Sequence, residues 1–427
     1  MMQDISKRVF VASIIFFVTC IILFYGIAIG KYHIWPYTII EQIYRASKSL
    51  VKYGDIIPEN RIMKAPSGAS RKRYTIHNPA KMNNGYYVFL GWDDKLGGYA
   101  AWLLDSQGAQ LHTWVLDYYA MDPDGPLNNS DSPHAFKVLA DGSILVSFDK
   151  GDVMSRLDSC SKPKWSKQGV YHHSLEKAEN GTYWTWRSDG TAYGHYHYLE
   201  NFNPETGKTV NSIGLIEDII ANMGDNSIIF GIRPDYNFIK LNETSPNIEV
   251  MDLFHPNDID ILYSDIAHKF PNFKKGDLLL SFRNLHLVAV LDTDNNKIKW
   301  WSHGPWRAQH DPDFTNDGMI SVFSNNTGTK RSETIKIDPT TRIFSNELYN
   351  AKLSFYTASM GKHQYLPNGN ILIVVSGEGR ILEVTKHGEK VMEFNNLSKF
   401  SNEHNVHVSN GVWLQTDFFD NFPKCTN

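Results

Sequence analysis

The chain has 427 residues, with 42 Lys and Arg against 46 Asp and Glu for a net charge of -4, and 42% of it is apolar and 13% aromatic. That balance supports a folded body with a substantial core, and the lack of a basic stripe excludes the electrostatic footprint of a nucleic-acid binder. The three cysteines, Cys20, Cys160 and Cys425, form no C-x-x-C pair, so the usual zinc and thiol-redox spacings are excluded; Cys160 and Cys425 remain eligible for a disulfide in an oxidising compartment.

Residues 10–30, FVASIIFFVTCIILFYGIAIG, contain no charge and match the roughly 20 apolar residues of a membrane-spanning helix. Lys7 and Arg8 precede the run, so the positive-inside tendency keeps residues 1–9 cytoplasmic. A single-pass protein follows, with its large domain extracytoplasmic, in the periplasm or a lumen. A cleaved signal peptide competes, because Ala28 and Gly30 are small, but the length of the run favours an uncleaved signal anchor. Residues 31–75 read as a juxtamembrane helix (Ile39, Ile40, Ile43 and Tyr44 against Arg45, Lys48 and Lys52), then a linker containing Pro66, Gly68 and Arg71-Lys72-Arg73 without a fold of its own.

From residue 76 to 427 the pattern is all-β. A polar turn followed by an apolar strand recurs at Gly85, Gly142, Gly181, Gly276, Gly318, Gly369 and Gly411, with gaps of 57, 39, 95, 42, 51 and 42 residues. Second hairpins follow in several units, as in HLVAVLDTDNNKIKWW and RILEVTKHGEKVMEF. Multi-strand units of this length indicate a β-propeller, and the turns leave the blade number open. No glycine loop of the P-loop or dinucleotide kind occurs, so no nucleotide cofactor is expected.

A histidine stands eight residues before the turn glycine in five units, at His77, His134, His173, His268 and His310, and nearby in two more, at His363 and His404. Equivalent positions of innermost strands converge at a propeller's channel, so a repeated histidine becomes a ring. Each alone has the blander reading of a backbone cap. Two further clusters, His195 with His197 and the acidic Asp149, Asp152 and Asp158, lack a full ligand set, and no metal is expected.

The stretch GPWRAQHDPDFTNDGMISVFSNN, with SFRNLHLVAVLDTDNNKIKWW and FHPNDIDIL before it and GKHQYLPNGNILIVV after it, resembles the arylsulfate sulfotransferases from about His172 to Phe394. The resemblance implies a six-bladed propeller that moves a sulfuryl group from an aryl sulfate to a phenol without a cofactor. It implies His310, after Gln309, as the transiently sulfurylated nucleophile. Catalytic partners would be His255, Arg283 of Ser281-Phe282-Arg283, and His173. Substrate-binding roles are expected for His172, Asn257, His363 and Trp306, the last by stacking unless it packs a blade. Tyr263 to Lys275 reads as an insertion carrying His268. The residue types suit the chemistry: an imidazole nucleophile, a fork of N–H donors for anionic oxygens and an acid-base group for the phenols. The competing reading is a non-catalytic propeller serving as a binding or assembly subunit of a membrane complex, and a homo-oligomer is compatible with either. A quinone-dependent dehydrogenase is disfavoured, since no tryptophan recurs in every blade and no adjacent cysteine pair occurs. Five Asn-x-Ser/Thr sequons, at Asn128, Asn180, Asn242, Asn325 and Asn396, are candidate glycan acceptors in a secretory host.

Overall fold

The computed structural model describes residues 2–32, 35–37, 39–40, 43–44, 61–125, 132–148, 151–189, 196–231, 252–346, 348 and 353–425. The chain divides into two compact units, Met1–Arg61 and Ile62–Asn427. In the first, one helix (α1) runs from Met2 to Tyr32, and its part from Lys7 to Tyr32 is long and apolar enough to cross a membrane, a property that a signal sequence shares. Phe10, Phe16, Phe17, Ile21, Ile22 and Phe24 are all exposed, so the helix is apolar on every face rather than along one stripe. The juxtamembrane helix expected after it lies mostly outside the described residues.

The second unit contains strands β1 (Ile62–Lys64), β2 (Tyr74–Ile76), β3 (Tyr86–Asp93), β4 (Gly98–Asp105), β5 (Gln110–Leu116), β6 (Pro133–Val138), β7 (Ile144–Phe148), β8 (Val153–Leu157), β9 (Pro163–Gln168), β10 (Val170–Lys177), β11 (Tyr183–Ser188), β12 (His197–Phe202) and β13 (Thr209–Gly214). It continues with β14 (Pro256–Ile261), β15 (Leu278–Phe282), β16 (Leu287–Asp292), β17 (Lys297–His303), β18 (His310–Phe314), β19 (Ile320–Ser324), β20 (Glu333–Ile337), β21 (Phe344–Ser345), β22 (Lys362–Tyr365), β23 (Ile371–Val375), β24 (Arg380–Val384), β25 (Lys390–Asn395), β26 (His404–Val406) and β27 (Val408–Leu414). They form a six-bladed propeller. The blades are β27-β3-β4-β5, β6–β9, β10–β13, β14–β17, β18–β21 and β22–β25, and every neighbouring pair is antiparallel. Second strands such as ILIVV and LLLSF are buried on both faces between neighbouring blades, which is why they read as unbroken apolar runs. Trp184, Trp186, Leu278 and Leu280 pack within one such layer, and Trp300, Phe314, Ile320 and Val322 within the next.

Both ends of this unit close the ring. The C-terminal β27 is the innermost strand of the first blade, and β2 pairs with β25 as an added outer strand of the sixth. Gly411 therefore lies inside β27 and marks no seventh blade. The linker expected over residues 61–75 is corrected as well, since β1 pairs with β26 and β2 with β25. The long gap before Gly276 holds two helical turns (Leu215–Ile220 and Ala221–Phe230) and the insertion after β14, which includes the short helix Ser264–Ala267. Cys160, in the turn between β8 and β9, is bonded to Cys425 near the C-terminus, with Cα atoms 4.9 Å apart.

The turn glycines recur for a conformational reason. Gly142, Gly181, Gly276, Gly318 and Gly369, each between an innermost strand and the next, have φ of 81°, 85°, 86°, 82° and 84°, values that penalise any side chain.

Candidate functional site

Five innermost strands shift register near their beginnings, at Pro133/Ala135, His172/Leu175, Pro256/Asp258, His310/Asp313 and Val408/Asn410. A bulge of this kind re-aims side chains. Within or beside it, His173, His255 and Asp311 hold φ of 63°, 46° and 53°. Together these strand starts bring His134, His173, His255 and His310 toward one end of the central channel.

His310 is 8% exposed. Asn325 Nδ2 donates to the carbonyls of Thr357 (3.0 Å) and Met360 (2.7 Å), which turns its Oδ1 toward His310 Nδ1 at 2.7 Å. That oxygen can only accept, so the ring carries its proton on Nδ1 and its lone pair on Nε2, where the Met360 amide donates at 3.2 Å. Burial, reinforced by the neighbouring His255, Arg283 and Lys362, pushes the His310 pKa down to about 3 against the opposing Asn325 bond. The imidazole is neutral at pH 7.

His255 precedes β14, and its backbone N–H (3.0 Å) and ring Nδ1 both meet the Asp252 carboxylate, which fixes the ring with Nε2 as its other edge. Sequence reasoning missed Asp252, although the short Asp-x-x-His spacing was there to be seen. Half-buried Arg283 follows β15, its backbone N–H donating to the His255 carbonyl at 3.0 Å and its guanidinium to Asn284 Oδ1 at 2.9 Å. Asn257 donates to the Gln309 carbonyl at 2.8 Å, and Gln309 Nε2 donates to Ser281 Oγ at 3.1 Å and the Leu287 carbonyl at 3.0 Å, bracing the backbone beside His310. Asn257 is thus a strut between two innermost strands through its Nδ2, while its Oδ1 is buried without a hydrogen-bond partner.

His173 sits among rings: His134 is 3.7 Å away by centroid, His172 4.9 Å and His255 5.0 Å. Fully buried His172 stands behind it and bonds its Nδ1 at 2.7 Å, so His172 supports His173 rather than meeting substrate. Burial, with the neighbouring histidines, holds both rings well below the ordinary range.

Further expectations give way to the observed contacts. His363 is buried with Nδ1 on Asp311 (3.0 Å) and Nε2 on Ser321 Oγ (2.8 Å), so neither nitrogen is left for a substrate. Trp306, 4% exposed, packs in the apolar layer with Trp300 and Phe314 and donates to the His286 carbonyl; it packs a blade and presents no ring face for stacking. His77 pairs with Glu393 at the outer edge of the sixth blade, and His268 caps the short helix of the insertion. His404 lies in β26; the residue leading into the innermost strand is His407, bonded to Tyr99. Asn325 and Asn396 are buried and hydrogen-bonded, which removes them as glycan acceptors; Asn128 and Asn242 lie outside the described residues.

A cavity of about 920 Å³ follows the channel past His173. His173, Asp258, Asp311 and Lys362, at the starts of their strands, line it, whereas His310, His255 and Arg283 do not. Lys362 bonds Asp311 at 2.8 Å and lies 3.6 Å from Asp258. Burial pushes the Asp258 carboxyl up to about 7 and Asp313 well above its usual range, while Lys362 and His363 overcome burial at Asp311 and hold it low. Ligand atoms of Asp311, Asp313 and His363 lie within 4.8 Å of one another; Asp311 is bonded by Lys362 and His363, and His363 by Ser321, while Asp313 Oδ2 lies 3.8 Å from His363 Nε2. His195 and Asp149 lie outside the described residues; His197 bonds Ser188, and Asp158 caps its own turn through the amides of Cys160 and Lys162.

The family model described as Arylsulfotransferase (ASST) matches residues 134–397, more than half of the chain. Among solved structures, a protein of unknown function from Bacteroides caccae is similar at 12% identity with a TM-score of 0.46, covering 76% of this chain and 99% of that one. TolB from Acinetobacter baumannii is similar at 13% identity and 0.45, covering 77% and 66%, and virginiamycin B lyase from Staphylococcus aureus at 12% and 0.35, covering 64% and 72%. Among curated proteins there is no significant match.

Proposed function

The chain belongs to the arylsulfotransferase family, and we propose that it transfers a sulfuryl group from an aryl sulfate to a phenol through a transient sulfohistidine at His310, without a nucleotide cofactor. The observation that carries this reading is the pinned tautomer of His310: a neutral, buried imidazole whose Nε2 lone pair is defined by the Asn325 contact at Nδ1. In the first half-reaction Nε2 forms a bond to sulfur as the sulfur–aryl-oxygen bond breaks, and the electron pair leaves with that oxygen. Attack gives up the Met360 amide contact, at a cost of about 1 kcal/mol. Arg283 supplies N–H donors to the sulfuryl oxygens, whose charge grows toward the transition state. His255, ordered by Asp252, and His173 hold the proton that the departing aryl oxygen takes up. In the second half-reaction the acceptor phenol yields its proton to the same histidines, its oxygen attacks sulfur, and the nitrogen–sulfur bond breaks with its electron pair returning to Nε2.

The N-terminal helix would anchor the protein, with Ile62–Asn427 as the extracytoplasmic domain; the Cys160–Cys425 disulfide supports an oxidising compartment. The test is a ping-pong assay on the full chain in detergent, with 4-nitrophenyl sulfate as donor and a phenol as acceptor. Nitrophenol release that depends on the phenol, and that disappears in His310→Asn with the fold kept, is expected. No transfer at any pH from 5 to 9 would remove the enzyme reading and leave the binding-subunit one.

A further inference from the structure

Behind His173 lies a chain of short hydrogen bonds that the sulfuryl chemistry above does not use. His173 Nδ1 is 2.7 Å from His172 Nδ1, His172 Nε2 is 2.8 Å from Ser188 Oγ, and Ser188 Oγ is 2.7 Å from His197 Nδ1. His172 and His197 are fully buried and Ser188 is 3% exposed, while His173, partly exposed, lines the channel cavity. Trp186 and Phe254 flank the His197 ring. The groups facing the inner rings are themselves histidines: His134, His255 and His310 around His173, and His134, His197 and His255 around His172.

Each link holds one proton, and the chain has two self-consistent arrangements. In one, His173 bears its proton on Nε2, the edge not taken by His172; its Nδ1 accepts from His172 Nδ1–H, His172 Nε2 accepts from the Ser188 hydroxyl, Ser188 Oγ accepts from His197 Nδ1–H, and His197 carries protons on both nitrogens. In the other, every link is reversed, His173 Nε2 is a lone pair, and His197 has one proton fewer. The difference is one proton, delivered or collected at His173 Nε2.

We propose that His173, His172, Ser188 and His197 form a proton store for the transfer cycle, taking the proton of one phenol acceptor and returning it to the aryl oxygen of the next donor. The proposal rests on the function assigned above. The balance closes: the acceptor half-reaction releases one proton with formation of the sulfate ester, the donor half-reaction consumes one as the aryl oxygen leaves, and the chain carries it in between. His173 is the catalytic end, and Ser188 and His197 act through it.

The test compares donors in full-length Ser188→Ala and Ser188→Thr. Phenyl sulfate expels a strongly basic phenolate that needs the proton, whereas 4-nitrophenyl sulfate expels a far weaker base. Loss of the hydroxyl link is expected to raise the ratio of kcat/KM for 4-nitrophenyl sulfate over phenyl sulfate by about 10-fold or more, and Ser188→Thr to restore it. An unchanged ratio, with both donors slowed alike, overturns the store and leaves the sulfotransferase reading standing. Should the native protein transfer no sulfuryl group at all, that reading fails instead, and the chain is judged by nitrogen-15 spectra of labelled histidines. A change of His172 and His173 tautomer in Ser188→Ala upholds it as a proton path; unchanged tautomers overturn it.

Discussion

Replacing Asn325 with alanine isolates the feature on which the mechanism depends. The native side chain spends both amide protons on the Thr357 and Met360 carbonyls and its oxygen on His310 Nδ1. After truncation the Thr357 carbonyl keeps Ser332 Oγ at 3.3 Å, but the Met360 carbonyl loses this partner. The loss of three hydrogen bonds, with the Met360 carbonyl and the His310 Nδ1–H left without this partner, costs about 2–4 kcal/mol of stability, read as a lower thermal midpoint. The kinetic effect is larger: with no acceptor at Nδ1, the ring is free to carry its proton on Nε2 and hide the nucleophilic pair. A misassigned tautomer elsewhere costs about 10⁴-fold, and a fall of about 10²–10⁴-fold in kcat for 4-nitrophenyl sulfate is expected. Asn325→Asp sharpens the case, since it keeps an acceptor but adds a charge that favours the imidazolium. The His310 pKa then rises from about 3, and activity at pH 5 falls relative to pH 8. Turnover of the alanine variant within about threefold of native would refute the tautomer argument.

Arg283→Met should lower kcat/KM by about 10²–10³-fold and, by removing a positive neighbour, raise the His310 pKa, so that the acid limb of the pH profile moves upward; a limb that moves downward would contradict the assignment. Asp252→Asn leaves His255 without its carboxylate and should slow donors with basic leaving groups more than nitrophenyl sulfate, as a leaving-group series will show. Cys425→Ser releases a bridge spanning 265 residues and should cost up to about 5 kcal/mol, with a matching drop in thermal midpoint under reductant for the native chain only. His172, His173 and His310 are held below the roughly 6.5 of an unfolded histidine, so the unfolded state binds more protons below that value. Stability is then full above about pH 6.5 and declines as pH falls from there toward 3; a flat thermal midpoint over that window would count against it.

Much of this could be read in the sequence because it is local and periodic. The glycine turns followed by apolar strands give the blades, and the uncharged run from Phe10 to Gly30 gives the helix. What could not be read depends on contacts between distant residues. The closing of the ring by β27 and β2 joins strands more than 300 residues apart, which made Gly411 look like a further unit and residues 61–75 like a linker. The histidine offset was half a signal. It held for His134, His173 and His310, where the glycine ends the strand that the histidine begins, and failed for His77 and His268, where an outer strand and an insertion reproduce the count. Asn325 read as a sequon because the carbonyls that orient it belong to residues more than 30 positions onward.

Part of the backbone strain in this propeller falls where the chemistry is proposed. Left-handed φ values outside glycine occur in surface turns, as at Ser161, Asn296 and Arg342, but those at His173, His255 and Asp311 belong to the starts of innermost strands. Each costs on the order of 1–3 kcal/mol, and a regular strand would remove that cost. It would also send neighbouring side chains to opposite faces of the blade. The bulge instead divides adjacent residues between two tasks near the axis: His310 meets Asn325 while Asp311 reaches Lys362 and His363, and His172 faces Ser188 while His173 lines the channel. A neutral nucleophile and a residue of the carboxyl cluster thereby stand side by side in the chain, at His310 and Asp311. The repeat supplies the position and the bulge supplies the direction, so a histidine at the right offset acquires a role only in those blades where the register breaks beside it.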